Sequence, residues 1–152
     1  MRQRHLRVQS DLSVLTQIQR WFEDFCCQQK PLSVWSEDRR YCLKLAIAEG
    51  FSNAVRHAHR GRPLDTPIDL ALLLYDDRLE IRIWDYGEPF DPETLEEPKP
   101  GTLRQGGYGW FLLRRLSDRV VYERCRDNRN CLIIEQGLDE QITKWEDFFK
   151  DE

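Results

Sequence analysis

Long apolar runs are missing from this sequence. No stretch approaches the roughly 18 consecutive apolar residues that a membrane span requires. The chain starts with basic residues, Met1 to His5, but no apolar segment of the signal-peptide kind follows them. We therefore expect a cytoplasmic protein that does not associate with a membrane.

Paired cysteine motifs are missing as well. The five cysteines are an odd number and include no C-x-x-C pair, so neither a disulfide framework nor a zinc site is indicated. The simplest interpretation is free, buried thiols in a reducing compartment. They are Cys26, Cys27, Cys42, Cys125 and Cys131.

The chain also has no excess of positive charge. It contains 23 Lys and Arg against 27 Asp and Glu, a net charge of −4, which argues against binding nucleic acid by neutralising phosphates. Six arginines still lie close together late in the chain, and they indicate either a solvated face or a surface for an acidic protein partner. These are Arg114, Arg115, Arg119, Arg124, Arg126 and Arg129.

What is present is the pattern of one α+β domain over residues 1–152. Hydrophobic periodicity predicts strands at 5–9, 68–75, 78–84, 120–126 and 131–136, and helices at 10–29, 36–59, 110–117 and 139–149. Hairpins with helices grouped between them favour a two-layer sandwich, with a mixed or antiparallel sheet and helices on one face. The core covers about 5–136, and an extra C-terminal helix at 139–150 packs on the domain or contacts a partner.

Residues 87–107 form the longest predicted loop. They contain four prolines and four glycines, so they suit neither a strand nor a helix. A loop of this length inside a compact domain is often functional, and a lid over a binding site is the expected role.

The helix at 36–59 carries the first candidate site. Glu49, Asn53 and His57 are spaced four apart and so share one face of a helix that is otherwise apolar over most of its circumference. A carboxylate can accept a proton, and an amide oxygen can bind Mg²⁺. Taken alone, the pair could equally be structural, hydrogen-bonded to the backbone or exposed to solvent.

Asp85 and Gly87 form the second candidate. Asp85 keeps the parity of Leu79, Ile81 and Ile83, which places a charge at the end of the buried face of a strand. Its carboxylate could accept a hydrogen bond from an exocyclic amine such as that of adenine, and Gly87 would let a ligand approach closely. The alternative is an ordinary turn-initiating Asp.

Glycines before the helix at 110–117 form the third candidate. Gly107 and Gly109 would expose backbone N–H groups that suit phosphate. The sequence matches neither the Rossmann nor the Walker pattern. A lone G-x-G is a weak signal by itself, and a plain loop with a helix cap is the alternative.

In this order, the three candidates resemble the motifs of the ATPase superfamily that includes gyrase and the histidine kinases. The segments Glu49-x-x-x-Asn53-Ala54-x-x-His57, Asp85-x-Gly87-x-Pro89-Phe90-Asp91-Pro92 and Gly107-x-Gly109-Trp110-x-Leu112-Leu113-x-x-Leu116-x-Asp118 are most similar to the stand-alone anti-sigma-factor serine/threonine kinases. This resemblance implies the histidine-kinase-like ATPase (Bergerat) fold.

The resemblance also implies a role for each motif residue. Glu49 would be the general base, Asn53 would bind Mg²⁺, and Asp85 would contact the adenine amine of ATP. The other implied nucleotide-binding residues are His57, Gly87, Arg104, Gly107, Tyr108 and Gly109. The implied partners are a sigma factor and an anti-anti-sigma protein, with a homodimer as a further expectation and no direct contact with nucleic acid.

Two departures leave alternatives open. Pro89 stands where many superfamily members have a second glycine, which fits the anti-sigma group better than the histidine kinases. Gln105 stands nearest to an arginine that some of these kinases carry, with Arg104 one residue away. The alternatives are an ATP-binding partner-switch module without kinase activity, a histidine-kinase catalytic domain, and a globular domain that binds no nucleotide.

Overall fold

The structure, a computed structural model, describes residues 1–92 and 108–138. Its elements, in chain order, are β1 (Arg2–Gln9), α1 (Leu15–Gln28), α2 (Lys30–Ser33), α3 (Glu37–Asn53), β2 (Pro67–Leu74), β3 (Arg78–Asp85), α4 (Tyr108–Leu116), β4 (Arg119–Arg124) and β5 (Asn130–Gly137). A 3₁₀ turn, Leu12–Val14, precedes α1, and a π-helical turn, Ala54–Ala58, follows α3.

The strands form one sheet in the order β1-β2-β3-β5-β4, and each neighbouring pair is antiparallel. Both predicted hairpins, β2–β3 and β4–β5, are confirmed. The ladder between β3 and β5 joins them and brings Asp85 opposite Asn130. As a result, β3 is the central strand, and its end at Asp85 lies between strands on both sides.

One face of the sheet carries the core. Leu79, Ile81 and Ile83 of β3 are at most 1% exposed, as their alternation predicts. They share one hydrophobic cluster with apolar residues of α1, α3 and α4: Ile18, Phe22, Leu43, Ile47, Phe51, Leu113 and Leu116. The predicted two-layer α+β sandwich is therefore confirmed.

The first helix begins later than predicted, because a 3₁₀ turn occupies Leu12–Val14. Asp11 does act as a cap, because its Oδ1 accepts a hydrogen bond from the N–H of Ser13 at 2.9 Å, but it caps the 3₁₀ turn. The helix ends at Gln28, within one residue of the predicted end. Lys30 and Pro31 then begin the short helix α2, where a proline in the first turn loses no intrahelical hydrogen bond.

Helix α3 begins where the sequence predicts. The hydroxyl of Ser36 accepts a hydrogen bond from the N–H of Arg39 at 3.2 Å, and Glu37 and Asp38 occupy the first turn. As its apolar pattern indicates, α3 is largely buried; beyond its first turn, Tyr41 is its one exposed residue, at 54%. The sheet covers one side of this helix, and the side that includes Tyr41 remains partly open.

The end of this helix carries a second correction. The prediction was a regular helix to His59, but α-helical geometry stops at Asn53 and a π-helical turn takes over. The N–H of His59 donates to the carbonyl of Ala54 at 2.8 Å, five residues earlier. This wider turn takes His57 off the row defined by Glu49 and Asn53.

Two predicted segments, the loop beyond residue 92 and the helix at 139–150, lie outside the described residues. Within the described part, no helix is long and apolar enough to cross a membrane. All five cysteines are free. Cys26, Cys42 and Cys131 are buried as expected, whereas Cys27 is exposed and Cys125 is half-buried, so the expectation of buried thiols was wrong for these two.

Candidate functional site

Three residues singled out from the sequence meet where α3 packs on α4. A Cβ atom placed on Gly109 would lie 2.1 Å from Glu49 Oε1 and 3.1 Å from Asn53 Nδ2. Any side chain at this position would have to displace the Glu49 carboxylate, because real Cβ contacts do not fall below about 3.0 Å. Glycine is therefore required at position 109 because α4 approaches the side chains of α3 closely there.

The Glu49 carboxylate and the Asn53 amide are half-buried. Neither makes a hydrogen bond to any residue in the ranges 1–92 and 108–138. They lie one helical turn apart and face the first turn of α4, where backbone N–H groups have no intrahelical acceptor. An acid–base group, an amide oxygen and anion-binding N–H groups are thus gathered in one place.

Asp85, at the end of β3, is the centre of a buried hydrogen-bond network. Its side chain is 3% exposed. Oδ1 accepts from the N–H of Gly87 and from Asn130 Nδ2, both at 2.9 Å, and Oδ2 accepts from the Tyr122 hydroxyl at 2.7 Å. Each of these donors is electrically neutral, so the network fixes the direction of the carboxylate without pairing it with a cation.

Burial, followed by the charge of Asp85, raises the pKa of Tyr122 well above its ordinary value. Tyr122 therefore remains a protonated donor at any physiological pH. The ring of Phe90 packs edge-on against Tyr122, with centroids 6.3 Å apart, and is 52% exposed. An apolar aromatic surface thus lies beside the acceptor carboxylate, as a nucleobase would require.

Side chains from β4 and β5 hold the turn that follows Asp85. Asn130 Nδ2 also lies 3.1 Å from the carbonyl oxygen of Gly87 and 3.2 Å from that of Glu88. Arg124 Nη1 donates to the same Gly87 carbonyl at 3.0 Å and to Asn130 Oδ1 at 3.3 Å. The backbone at Gly87 is therefore anchored from two strands.

Gly87 itself packs on the π-helical turn. A Cβ atom placed there would lie 2.8 Å from the Cβ of Ala58 and 2.9 Å from both its Cα and its carbonyl oxygen. Backbone cannot yield as a flexible side chain can, so only glycine fits. This contact connects the end of the α3 segment, which carries Glu49 and Asn53, with the turn that carries Asp85.

His59 makes a second connection between these segments. It is 3% exposed. Its Nε2 accepts a hydrogen bond from the N–H of Tyr86 at 2.8 Å, and its Nδ1 lies 3.1 Å from the hydroxyl of Ser10. Tyr86 stands between Asp85 and Gly87, so His59 holds the middle of the candidate motif.

The remaining predicted residues are not all brought to this place. His57 is exposed, and its Nδ1 lies 3.4 Å from Arg60 Nη2. Tyr108 is the first residue of α4. Arg104 and Gly107 lie outside the described residues.

The six late arginines differ in their surroundings. Arg129 is half-buried and pairs with Asp69 at 2.8 Å and with Asp127 at 2.7 Å, while Arg124 is used at the Gly87 turn. Arg124 is exposed, as are the other four, Arg114, Arg115, Arg119 and Arg126. Two clefts of about 350 and 280 Å³ flank β1, and none of the residues that line them belongs to the candidate site.

Sequence reasoning missed four residues of this site: Ser10, His59, Tyr122 and Asn130. Tyr122 reads as one more residue of a strand and Asn130 as part of the β4–β5 turn. Only the β3–β5 ladder places Asn130 opposite Asp85. A buried carboxylate requires hydrogen-bond donors. The predicted burial of Asp85 therefore indicates that donors exist, but it does not identify the residues that supply them.

With this geometry in place, comparison with known proteins identifies the class. The chain belongs to the family described as "Histidine kinase-like ATPase domain", which matches residues 8–135. That range includes Glu49, Asn53, Asp85 and Gly109. The resemblance inferred from the three motifs is thereby confirmed.

Among curated proteins, the chain is similar to those named serine-protein kinase RsbW. It is 37% identical to that of Listeria monocytogenes (serotype 4a), over 68% of this chain and 64% of the relative. It is 39% identical to that of Oceanobacillus iheyensis, over 51% of this chain and 54% of the relative. The chain thus spans less than two thirds of the length of these relatives.

A solved structure agrees on the fold. The crystal structure of the RsbU and RsbW domains of a Mycobacterium tuberculosis protein matches 90% of this chain and 32% of that chain, with a TM-score of 0.62. Its sequence identity is 13%. The likeness therefore concerns the arrangement of helices and strands.

Proposed function

We propose that this chain is an ATP-dependent serine/threonine protein kinase of the anti-sigma-factor type. It would phosphorylate an anti-anti-sigma protein and bind a sigma factor. The observation that carries this proposal is the contact of Gly109 with Glu49 and Asn53 at the start of α4. It is supported by the similarity to proteins named serine-protein kinases.

The nucleobase would lie beside Asp85 and Phe90. The buried carboxylate accepts a hydrogen bond from the adenine amine, and a guanine carbonyl at that position would face two negative oxygens. The phosphates would lie at the first turn of α4, where Gly109 removes any side chain between them and α3. Gly107, Tyr108 and Arg104 are proposed to complete this part of the site, with His57 at its edge.

Mg²⁺ fits the donors at this place. Asn53 offers a hard amide oxygen without a hydrogen-bond partner in the described ranges, and magnesium commonly takes one or two protein oxygens, with water and phosphate oxygens as the remaining ligands. The described residues include no cluster of three or more His, Cys, Asp or Glu suited to a metal, so an all-protein cage is not the form proposed. When bound, the ion would neutralise charge on the transferred phosphate.

Glu49 is proposed as the general base. It would accept the proton of the substrate hydroxyl as that oxygen bonds to the terminal phosphorus, while the bond from phosphorus to the bridging oxygen breaks and ADP leaves. Positioning and charge neutralisation supply most of the rate in such reactions, so few protein groups are needed.

Two further features belong to this proposal. Partners of this kind place the protein in the cytoplasm. We also propose a homodimer formed through the sheet face that the helices leave open. Half-buried apolar side chains on alternate residues of β2 to β5 support this arrangement: Leu73, Trp84, Val121 and Ile133. Analytical ultracentrifugation would test it, and a purely monomeric species at high concentration would contradict it.

The test of the kinase is transfer of label from γ-labelled ATP, with Mg²⁺, to a purified anti-anti-sigma protein from the same organism. Glu49→Gln should lower the transfer rate by about 100-fold or more while ATP affinity stays within about threefold. The control is Glu37→Gln, an exposed carboxylate at the other end of α3, which should leave both unchanged.

Transfer retained by Glu49→Gln would remove the proposed base. ATP binding by the wild-type protein without any transfer would favour the partner-switch module that lacks kinase activity. No ATP binding at millimolar concentration would overturn the proposed function as a whole.

A further inference from the structure

His59 lies where three segments meet: the end of β1, the end of the π-helical turn and the turn after β3. Its backbone is fixed at both sides, since its N–H donates to the Ala54 carbonyl and its carbonyl accepts from the N–H of Arg62 at 2.9 Å. Its ring reaches Ser10 on one side and Tyr86 on the other. Because His59 is bonded to all three segments, a shift of one segment would change the positions of the others.

The hydrogen bonds determine which nitrogen of the His59 ring carries the proton. A backbone N–H can only donate, so the 2.8 Å contact from Tyr86 requires Nε2 to be an acceptor without a proton. The proton of the neutral ring must then be on Nδ1, where the Ser10 hydroxyl at 3.1 Å can accept it. The ring is therefore neutral with one defined tautomer.

The bond to Tyr86 fixes the peptide next to the candidate acceptor. The Tyr86 N–H belongs to the peptide that begins at Asp85, and the following N–H, of Gly87, already donates to Asp85 Oδ1. If the Tyr86 N–H lost its acceptor, rotation of this peptide would move the Asp85 backbone and the Gly87 contact together. The π-helical turn makes the link possible, because its extra residue sets the direction of His59.

We propose that neutral His59 is a positioning residue for nucleotide binding, which holds the Tyr86 peptide so that Asp85 and Gly87 keep the geometry that adenine requires. This inference rests on the proposed function, because it concerns the same site. His59 would act through the turn and would not contact the nucleotide. Its protonation would replace the acceptor at Nε2 with a donor facing the Tyr86 N–H, so nucleotide affinity should fall in acid.

The groups that act on the ring define the pH range. Burial lowers the pKa of His59; the charge of Asp85 on β3 opposes this shift and that of Arg62 adds to it. The Tyr86 ring lies 6.4 Å away, centroid to centroid. The His59 ring is thus uncharged at pH 7, and affinity should be constant near neutrality and decline only below the ordinary histidine value of about 6.5.

The experiment is calorimetric titration of the full chain with Mg-ATP between pH 5 and 8, on the wild type and three variants. His59→Leu removes the acceptor and should weaken binding about tenfold or more at pH 7. His59→Gln supplies an acceptor near Nε2 without a titrating group, so it should bind within about threefold of the wild type and show a flatter pH profile. His5→Gln, at an exposed position on β1, should match the wild type throughout.

A readout independent of binding is the ¹⁵N spectrum of the His59 ring, which should show a protonated Nδ1 and an unprotonated Nε2. Circular dichroism and thermal unfolding would establish that His59→Leu is folded. Equal affinity in a folded His59→Leu, the opposite tautomer, or an unchanged pH profile in His59→Gln would overturn the inference while leaving ATP binding intact. No ATP binding by the wild type at any pH would overturn the proposed function, and this inference with it.

Discussion

Glu80 and Asp85 lie on the same strand, β3, and each is 3% exposed. Glu80 faces away from the helices and is held by two arginines: Arg78 Nη2 lies 3.1 Å and Arg82 Nη2 2.8 Å from its carboxylate. Asp85 faces the core side of the sheet, and the donors to it are Tyr122, Asn130 and its own turn.

The difference is in how each negative charge is compensated. Burial alone would raise the pKa of Glu80, but its hydrogen bonds and charge interactions with Arg82 and Arg78 more than offset this and leave it lowered. A carboxylate already paired with cations has little left to offer a ligand. Asp85 is oriented by neutral groups, so it can still accept a hydrogen bond from a polar ligand. The comparison therefore distinguishes a carboxylate suited to stabilising the fold from one suited to binding a ligand.

The sharpest test of this contrast is Asp85→Asn. The amide is similar in size but removes the charge and turns one oxygen into a donor, so adenine loses its acceptor and the Tyr122 and Asn130 network must rearrange. We expect ATP affinity to fall by about 100-fold or more, equivalent to about 2.7 kcal/mol, while the sheet remains folded. Calorimetric titration with Mg-ATP measures this loss.

The matched control is Glu80→Gln, an equivalent change five residues earlier on the same strand. It should leave ATP affinity within about twofold of the wild type, since no contact connects it with the Asp85 turn. Equal loss of affinity in both variants would mean that the effect of Asp85→Asn reflects general damage to β3, and the distinction between the two carboxylates would disappear.

Glu80→Gln should instead reduce stability. It leaves Arg82 without its carboxylate, while Arg78 keeps Asp77 at 2.8 Å. Both arginine side chains are 31–35% exposed and remain partly solvated, so we expect a loss of about 1–2 kcal/mol in the free energy of unfolding. Urea unfolding at pH 7 measures this loss.

The stabilisation by Glu80 should also depend on pH. The folded pKa of Glu80 is lowered, so this stabilisation is present above the ordinary value of 4.5 and is lost as pH falls through the folded pKa. The difference in the free energy of unfolding between Glu80→Gln and the wild type should therefore narrow below about pH 4.5. A constant difference down to about pH 3 would contradict the stabilising role of ionised Glu80.

Much of this contrast could be read from the sequence. The alternation of Leu79, Ile81 and Ile83 placed Asp85 on the buried face, and the helix predicted at 36–59 starts at the predicted position, where Ser36 caps it. These features depend on local periodicity and capping, which a sequence displays directly. Glu49, Asn53 and Gly109 were singled out because their order along the chain resembles that of a known family, and the structure brings them together.

The partners of Asp85 could not be predicted in this way. Tyr122 and Asn130 reach it because β5 pairs with β3, a choice among strands that local periodicity does not specify. The π-helical turn at 54–58 has no local signature either, since its residues suit an α-helix, and it is this turn that gives His59 its direction. Contacts between segments that are distant in the sequence therefore determine the partners of Asp85 and the direction of His59.

The smallest expected effect belongs to Tyr122→Phe, which deletes only the hydroxyl that donates to Asp85 Oδ2 at 2.7 Å. The ring, and its edge-on contact with Phe90, would remain. Asp85 would lose one of its three donors, the one to Oδ2, while Oδ1 keeps both of its own. ATP affinity should therefore fall by about three- to tenfold, equivalent to about 1 kcal/mol. Titration of this variant with Mg-ATP, compared with Tyr75→Phe at the other end of the sheet, measures the effect. A gain in affinity would mean that the Tyr122 hydroxyl competes with adenine for Asp85 instead of orienting the carboxylate. Asp85 would then have to release Tyr122 before it could bind adenine.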